Sequence, residues 1–451
     1  MRTVHYNPPN WLISLNCYLF IAMTSVSILQ STIFLRNFTL IVGALIGVYL
    51  IYKNLRNFSI RNTLPLLALA LLFLWVLIHY FFFAGDPAAQ FKEFSSVWKR
   101  VFLSFLFAIG LGLSTPDASK VNKILIGIGF AATVIVFYFR QIFSIFGIGG
   151  LTPFFVLNYF DPNSIGYIPK YYFSIFVVPF IALTYCFLVE LLTNKHPQRF
   201  LLVAITFLTL LGSLYIFYVV TNKNGFLYFL VVSLGFVLFI IKTKHKKITP
   251  ETYLAILLLL VSLSPLFYFH IKSETIQSTW SNFFIDSEAA LDFKHNDQWL
   301  HNNQWMNSSP KPLPLNRYGE PVSSTTYERV AWAVKGSELI LENPLGHGLV
   351  INSFGPLVKK KWPDSNLSHA HSGWIDLGLA FGIPGLGLIF FALFRTVVVC
   401  ARKHSFFAKA GVWVLLSMAL VFLSSEVAER ILLDYFIFLI AFFTAISINS
   451  D

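Results

Sequence analysis

The chain has 451 residues, of which 56% are hydrophobic and 12% charged, and this composition excludes an ordinary soluble protein. The formal net charge of +12 does not indicate a nucleic-acid partner, because the longest polar segment, 272–368, is nearly neutral, with nine Lys/Arg and ten Asp/Glu. The positive residues lie mainly in short loops between apolar runs, which is typical of a membrane protein. We therefore interpret the chain as an all-α polytopic membrane protein.

Apolar runs long enough to cross about 30 Å of hydrocarbon recur along the whole chain. They predict about twelve transmembrane helices, with nine in residues 1–271, three in residues 369–451, and the segment 272–368 between the ninth and the tenth. The predicted spans are 11–35, 38–52, 64–84, 98–114, 121–145, 169–192, 199–220, 224–241, 252–271, 372–397, 406–424 and 429–449. The second span is short, and the fourth needs Trp98 as an anchor at the membrane interface.

The distribution of Lys and Arg among the short loops predicts the orientation. With the N-terminus in the cytoplasm, sixteen of these residues fall on the cytoplasmic side and eight on the opposite side. Cytoplasmic loops are enriched in Lys and Arg. Both termini are therefore expected in the cytoplasm, and the segment 272–368 outside.

The segment 272–368 is too long to be a simple connection and too rich in Trp, Phe and Leu to be a disordered linker. We expect it to form a small, mostly helical cap on the membrane domain. Two shorter segments also stand out: 146–168, rich in Gly, Pro and aromatic residues, fits the mouth of a site, and 85–98 fits a short interfacial helix.

The clearest helix of the cap begins at TTYERVAW. Thr325 and Glu328 fit a capping box at its start, and Asn343, which precedes a proline, fits its end. Arg329 and Trp332 are three residues apart, so their side chains share one face of this helix.

Two histidines fall where the polar segment gives way to the tenth span, in HAHSGWIDLGLAFGIPGLG. Ionisable groups at such a boundary are candidates for function. His371 lies at the N-terminus of a helix, where the macrodipole disfavours an imidazolium, so a neutral imidazole is available as a base. Gly378 and Gly382 allow close helix packing, and Pro384 is expected to kink the span.

The spacing of four residues carries a resemblance to a known family. His371, Ser372, Gly382 and Gly385 match the pattern His, Ser/Asn/Gln, nine residues, Gly, two residues, Gly. This pattern resembles the signature region of the bacterial O-antigen ligase and O-antigen polymerase superfamily. Arg329 and Trp332, followed by ENPLGHG, are similar to the external loop of that superfamily, and twelve spans with one long periplasmic loop match its architecture.

Two positions depart from the family pattern. Ligases of this kind often have a second histidine directly before the motif histidine, whereas Ala370 intervenes here and the extra histidine is His369. The family also tends to have an arginine between the seventh and eighth spans, where this chain has TNKNGF and therefore Lys223. A lysine neutralises a phosphate as a point charge but lacks the bidentate fork of arginine.

The resemblance implies glycosyl transfer from an undecaprenyl-pyrophosphate-linked glycan at the periplasmic face of the bacterial inner membrane. Arg329 and Lys223 would bind the pyrophosphate and stabilise the charge on the leaving group, and His371 would orient or deprotonate the acceptor hydroxyl. Inversion is expected for a single displacement, without a metal ion or other cofactor. Further substrate-binding residues would be His369, Trp332, Ser372 and Arg430.

Within this superfamily an O-antigen ligase, with lipid A-core oligosaccharide as acceptor, is favoured. An O-antigen polymerase, which joins lipid-linked repeats, and a protein (pilin) O-oligosaccharyltransferase are alternatives with the same donor chemistry. A lipid or sugar transporter is disfavoured, because the distinctive polar residues cluster on one face and no paired broken helices occur in matching halves.

The same residues also have purely structural interpretations. The two histidines are able to bond to backbone or, as a His-x-His pair, to ligate a metal, although no third ligand is evident nearby. Arg329 is able to pair with Glu328 or Glu342, and Lys223 to extend towards the interface. Charged residues at the start of the last span are as well suited to a mutual ion-pair network as to substrate contact; they are Glu426, Glu429, Arg430 and Asp434.

Overall fold

The structure is a computed structural model that describes residues 8–29, 32–145, 168–193, 197–244, 282–293, 295–301, 312–425 and 430–449, with a few isolated positions besides. Its secondary structure is helical, and the described residues show one isolated bridge, between Leu315 and Pro321. The predicted all-α polytopic class is confirmed. The expected mouth segment 146–168 and most of the span 252–271 lie outside the described residues.

The helices before the cap are α1 (Asn10–Ser27), α2 (Ile33–Asn54), α3 (Ile60–Phe82), α4 (Pro87–Glu93), α5 (Lys99–Ser114), α6 (Lys120–Ile145), α7 (Lys170–Thr193), α8 (Arg199–Val219) and α9 (Lys223–Lys244). The helices that follow are α10 (Phe283–Leu291), α11 (Ser324–Glu342), α12 (Gly355–Lys361), α13 (Gly373–Ala401), α14 (Phe406–Val421) and α15 (Arg430–Asn449). Nine helical stretches in the described part of the chain are long and apolar enough to cross a membrane, and α14 is a shorter apolar helix.

The first two predicted spans, 11–35 and 38–52, have wrong bounds. The structure ends α1 at Ser27 and starts α2 at Ile33. The hydroxyl of Thr32 donates to the carbonyls of Val26 (2.8 Å) and Leu29 (2.7 Å), so it satisfies backbone acceptors left free at the end of α1. The hydrogen bonds of Thr32 thus help to end α1 within a stretch that is apolar throughout in the sequence.

The segment 85–98 is helical, as expected, but it is continuous with the fourth span. Asp86 caps α4 by accepting from the Ala89 N–H (2.9 Å), and a π-helical segment, Phe94–Trp98, joins α4 to α5. Trp98 is not an interfacial anchor, because it is only 2% exposed and its ring packs edge-on against Phe381. The widened helix turn directs this large side chain into the core.

The last helix is the centre of the membrane part. In an apolar stretch of 18 residues of α15, 94% of the residues are buried inside the protein, whereas the corresponding fraction in α8 is 33%. It packs against α3, α5, α13 and α14, and a buried ion pair joins Arg100 of α5 to Asp434 of α15 (2.5 Å). A helix that is apolar on all sides needs such a surrounding position, while α8 faces lipid with much of its surface.

The cap has an apolar core of its own, which includes Trp299, Tyr327, Trp332 and Phe354. Its longest helix, α11, lies against α13, where Gly378 leaves room for the side chain of Ile340. The predicted close packing at Gly378 is therefore present. The division of the chain into membrane segments and a cap between residues 272 and 368 remains a prediction.

The expected capping box at Thr325 and Glu328 is wrong. The N-cap lies two residues earlier, at Ser323, and makes no side-chain cap bond. Instead, Asp286 of α10 accepts from the Ser323 N–H (2.9 Å). A carboxylate from a distant segment thus satisfies the backbone next to the first turn, and the helix ends at Glu342, directly before Asn343 as predicted.

Candidate functional site

The tenth predicted span, α13, is interrupted nine residues after it begins. Gly382 has φ +65° and ψ −165°, which is not helical. The break removes the intrahelical donors of the Leu379, Ala380 and Phe381 carbonyls. Pro384 contributes, because it has no N–H to donate to Ala380. The kink expected at Pro384 is therefore present, and it is centred at Gly382.

The turn after α11 enters this break and satisfies the exposed backbone. The hydrogen bonds that do so are His347 N–H to Leu379 O (3.0 Å), Gly348 N–H to Ala380 O (2.6 Å), Ile383 N–H to Pro344 O (2.8 Å) and the Trp75 indole to Phe381 O (2.9 Å). Broken backbone inside a membrane is tolerated where the protein buries and pairs it. The ENPLGHG turn and the glycine motif of α13 are thus two halves of one structure.

Two glycines make this approach possible. Gly346 has φ +79°, and a Cβ there would overlap the Ala380 carbonyl. Gly382 lies where a Cβ would overlap the Pro344 carbonyl. Both positions combine a backbone conformation that favours glycine with direct backbone contact, so the glycines of the two motifs require each other.

His371 lies just before this broken helix, stacked on the cap. Its ring is 5.2 Å from the Trp332 ring at an interplanar angle of 22°, and 5.0 Å from the His369 ring at 89°. Its backbone has φ +52°, which is uncommon for a residue other than glycine. Strained backbone of this kind is concentrated at functional sites. His371 is partly exposed, so its imidazole is accessible.

Asp376, in the first turn of α13, organises the segment around His371. One carboxylate oxygen accepts from the Ser353 hydroxyl (2.5 Å) and the Ala370 N–H (3.0 Å), and the other from the Val427 N–H (3.2 Å). The side chain is fully buried. It thereby joins the cap, the His369–His371 turn and the α14–α15 connection. The sequence analysis missed it, because its partners are remote in the chain.

The start of α9 is a second part of the site. A tight turn with φ +51° at Thr221 precedes it. Asn222 accepts from the Gly225 N–H (2.9 Å) and donates to the Lys170 carbonyl (2.7 Å), so it caps α9 and ties it to α7. Lys223 is the first residue of α9 and is partly exposed. A capped helix N-terminus with a lysine favours an anion.

Arg329 joins the cap to this helix start. Its guanidinium donates to the side-chain oxygen of Asn224 (3.4 Å), whose amide donates to Ser424 (3.0 Å). Arg329 therefore lies beside the residue that follows Lys223, and the two predicted cations occupy one region. Asn224 and Ser424 were not among the residues singled out from the sequence.

A third cation lies in the same region. Lys170, at the start of α7, is exposed, and its charge interacts with that of Lys223. Two positive charges held close together attract and stabilise a bound anion. In the sequence, Lys170 is one of the eight basic residues of the external short loops and was not a candidate, since nothing in the sequence places the start of α7 next to that of α9.

Three predicted binding residues have other surroundings. Trp332 is buried and its indole donates to the Trp299 carbonyl (2.7 Å), so it acts as the platform for His371. Ser372 is the buried N-cap residue of α13, without a side-chain cap bond. Arg430 begins α15, but its side chain lies outside the described residues, and its binding role stays a prediction.

The structural alternatives for the charged residues are also informative. Glu342 forms an ion pair with Lys361 (2.6 Å), while Asp434 pairs with Arg100. The imidazole Nδ1 of His369 lies 2.8 Å from the Ser368 hydroxyl oxygen. Glu426 and Glu429 lie outside the described residues.

A buried polar layer supports the turn behind the site. The carboxylate of Glu93 accepts from the N–H groups of Val350 (2.7 Å) and Ile351 (2.8 Å). His347 donates through Nε2 to the Ser353 carbonyl. Burial lowers the pKa of His347 to about 4, so its imidazole is neutral near pH 7. The helix α4 thus holds the loop that fills the break in α13.

The comparisons agree with the resemblance in the sequence. Residues 207–390 match a protein-family model described as "O-Antigen ligase". The matched range contains Lys223, Arg329, Trp332, His369 and His371, and it ends beyond the break at Gly382. A search of curated proteins finds no match.

Proposed function

We propose that the chain is an O-antigen ligase, because residues 207–390 match the O-antigen ligase family model. It moves a polysaccharide from undecaprenyl pyrophosphate to lipid A-core oligosaccharide, at the periplasmic face of the bacterial inner membrane. The observation that carries the proposal is the double role of α11: Trp332 supports the imidazole of His371, and Arg329 reaches the start of α9 beside Lys223.

The cations form the donor part of the proposed site. Arg329, Lys223 and Lys170 surround the capped start of α9, where a pyrophosphate meets positive charge and helix N–H groups. As the bond between the anomeric carbon and the phosphate oxygen breaks, both electrons go to that oxygen. Fixed cations stabilise this charge without reorganisation.

His371 forms the acceptor part. Its imidazole, held by Trp332, takes the proton of the attacking sugar hydroxyl while the new bond from oxygen to the anomeric carbon forms on the face opposite the leaving group. A single displacement of this kind inverts the anomeric centre. His369, edge-on to His371, binds the acceptor together with Ser372 and Arg430. This chemistry calls for no metal ion.

The test is glycan transfer by purified protein in detergent with EDTA, from a synthetic undecaprenyl-pyrophosphate glycan to lipid A-core. The variant His371→Ala is expected to lose at least about a hundredfold in rate, the loss typical of a missing general base. Arg329→Ala is expected to lose a similar factor, about a hundredfold, because it removes a donor that stabilises the charge on the leaving group. Arg329→Lys is expected to retain part of the activity, because it keeps the charge but not the fork.

The cap provides matched controls. Arg317 is exposed and pairs with Glu288 (3.7 Å), and His295 is exposed and pairs with Asp292 (2.9 Å). Arg317→Ala and His295→Ala are expected to leave transfer unchanged. Equal activity of His371→Ala and wild type would refute the assignment of the base.

The acceptor separates the ligase from its closest alternative. A polymerase would ignore lipid A-core and extend a second lipid-linked repeat in the same assay. Glycan transfer by the purified protein without any gradient would rule out a pure transporter. In a deletion strain, loss of the ligase leaves bare core and accumulates lipid-linked polymer, while loss of a polymerase leaves core with one repeat.

A further inference from the structure

A large cavity lies at the end of the bundle opposite His371. Its volume is about 930 Å³, and its walls are mainly apolar residues of α6, α7 and α8. Ser405 and Phe406, which follow the C-terminal end of α13, line it, whereas His371 precedes the N-terminal end of the same helix. The cavity is therefore remote from the proposed transfer site.

The cavity is a wedge between α6 and α8. The two helices meet where the hydroxyl of Tyr138 donates to the carbonyl of Gly212 (2.8 Å), and they separate towards the start of α6. Gly127 faces the gap, and a Cβ there would meet nothing within 4 Å. Ile124 and Ile205 line the cavity and are 63% and 49% exposed. The wedge is thus open sideways, where lipid would surround the protein.

The depth of the cavity corresponds to one leaflet. On α7 its lining runs from Phe180 to Glu190, a distance of about 15 Å at the helical rise. Half of the hydrocarbon thickness of a bilayer is also about 15 Å. An acyl chain entering from one leaflet would fill the cavity from its mouth to its closed end.

Charged residues mark the mouth. Lys123 lies in the first turn of α6, Asp117 in the connection before it, and Glu190 in the last turn of α7. One cation beside two carboxylates suits a phosphate linked to an ammonium group. It disfavours a lipid whose only charge is negative, because the carboxylates repel a second anion.

We propose that this cavity binds one acyl chain of a zwitterionic aminophospholipid, with the lipid phosphate at Lys123 and its ammonium at Asp117 and Glu190. The lipid comes from the leaflet opposite the transfer site. It fills the space between α6 and α8 and joins these helices to α7. The site is independent of the donor and acceptor of the proposed reaction.

The test is native mass spectrometry of the purified full chain in detergent, with added phosphatidylethanolamine or phosphatidylglycerol of the same acyl chains. Wild type is expected to retain one phosphatidylethanolamine and to bind phosphatidylglycerol about tenfold more weakly, a difference of about 1.4 kcal/mol. Glu190→Gln removes a negative charge from the mouth and is expected to reduce that preference. Equal binding of both lipids by wild type would overturn the headgroup assignment.

Cavity-filling variants test the location. Gly127→Phe and Ala131→Phe place a ring in the wedge from two turns of α6, and each is expected to lose the bound phosphatidylethanolamine about tenfold. Gly387→Phe is the control, because Gly387 also faces open space but does not line the cavity. Thermal unfolding identifies any variant that fails to fold. Folded Gly127→Phe or Ala131→Phe with wild-type binding would overturn the proposal.

Discussion

Asp376 shows how a single side chain organises the proposed site. Both of its oxygens accept hydrogen bonds, and the three donors belong to Ser353, Ala370 and Val427. A carboxylate buried in this way is stabilised by its donors and in turn holds the segments that carry them. We interpret Asp376 as a positioning residue for His371.

Replacing Asp376 by Asn is expected to slow transfer about 10- to 100-fold, because an amide nitrogen would face one of the N–H donors and the His369–His371 turn would shift. The double variant Asp376→Asn/His371→Ala should be no slower than His371→Ala alone, since residues that act as a unit are not additive. Rate constants from the purified-protein assay measure both. Independent, multiplicative losses in the double variant would show that Asp376 does not act through His371.

The neutral imidazole of His347 predicts a pH-dependent stability. Burial lowers its folded-state pKa to about 4, below the unfolded value of about 6.5. The unfolded chain therefore binds a proton first as the pH falls, and the free energy of unfolding decreases between pH 6.5 and 4, by up to roughly 3 kcal/mol. As the pH falls from 6.5 to 4, the thermal unfolding temperature should decrease more steeply for wild type than for His347→Gln.

The exposed His295 supplies the control for that prediction. His295→Gln should retain the wild-type pH dependence, because this side chain is paired with Asp292 at the surface and not buried behind the site. Identical pH profiles for wild type and His347→Gln would contradict the assigned role of His347.

At the scale of single residues, the sequence analysis identified the motif residues as candidates for the site but missed the residues that hold them in place. Trp332 stacks on His371, and Arg329 contacts Asn224 at the start of α9; the roles assigned to these residues stay predictions. Asp376 was not singled out, because its donors lie up to 51 residues away in the chain. Residue spacing reports neighbours along one helix, whereas these contacts depend on tertiary packing.

At the scale of elements, the break in α13 is the feature that joins the membrane part to the cap. Hydropathy alone reads this span as continuous, and glycine spacing alone indicates close helix packing. The structure shows that Gly378 does provide close packing, whereas Gly382 interrupts the helix so that the turn at Pro344 enters it. The two glycines differ because the turn at Pro344 lies against Gly382. The residue pattern within α13 does not predict the position of that turn.

Gly382→Ala is expected to destabilise the protein by at least about 1–3 kcal/mol, the cost of a backbone conformation restricted to glycine, with a further steric clash at Pro344. Gly387→Ala, five residues later in the same helix and facing open space, is expected to be neutral or stabilising by up to about 1 kcal/mol. Thermal unfolding of the two variants measures the contrast. Equal stability would mean that the break does not require glycine.

The whole molecule has two ends with different properties. One contains the cap, the start of α9 and His371; the other contains the connections before α6 and after α13, next to the lipid cavity. The count of basic residues in the short loops predicts that the second end is cytoplasmic. This orientation was predicted from loop charge alone, and the helices do not test it, because a bundle of helices has the same contacts in either direction.

Labelling of intact cells with a membrane-impermeant maleimide tests the orientation. Arg317→Cys lies on the exposed part of the cap, and His404→Cys in the exposed connection after α13. We expect labelling at 317 in cells whose outer membrane has been permeabilised, and at 404 only after lysis. Cys17 and Cys400 are buried, and Cys186, which is partly exposed, is replaced by Ser in both variants. The opposite pattern would place His371 on the cytoplasmic side, where a periplasmic ligation reaction is impossible.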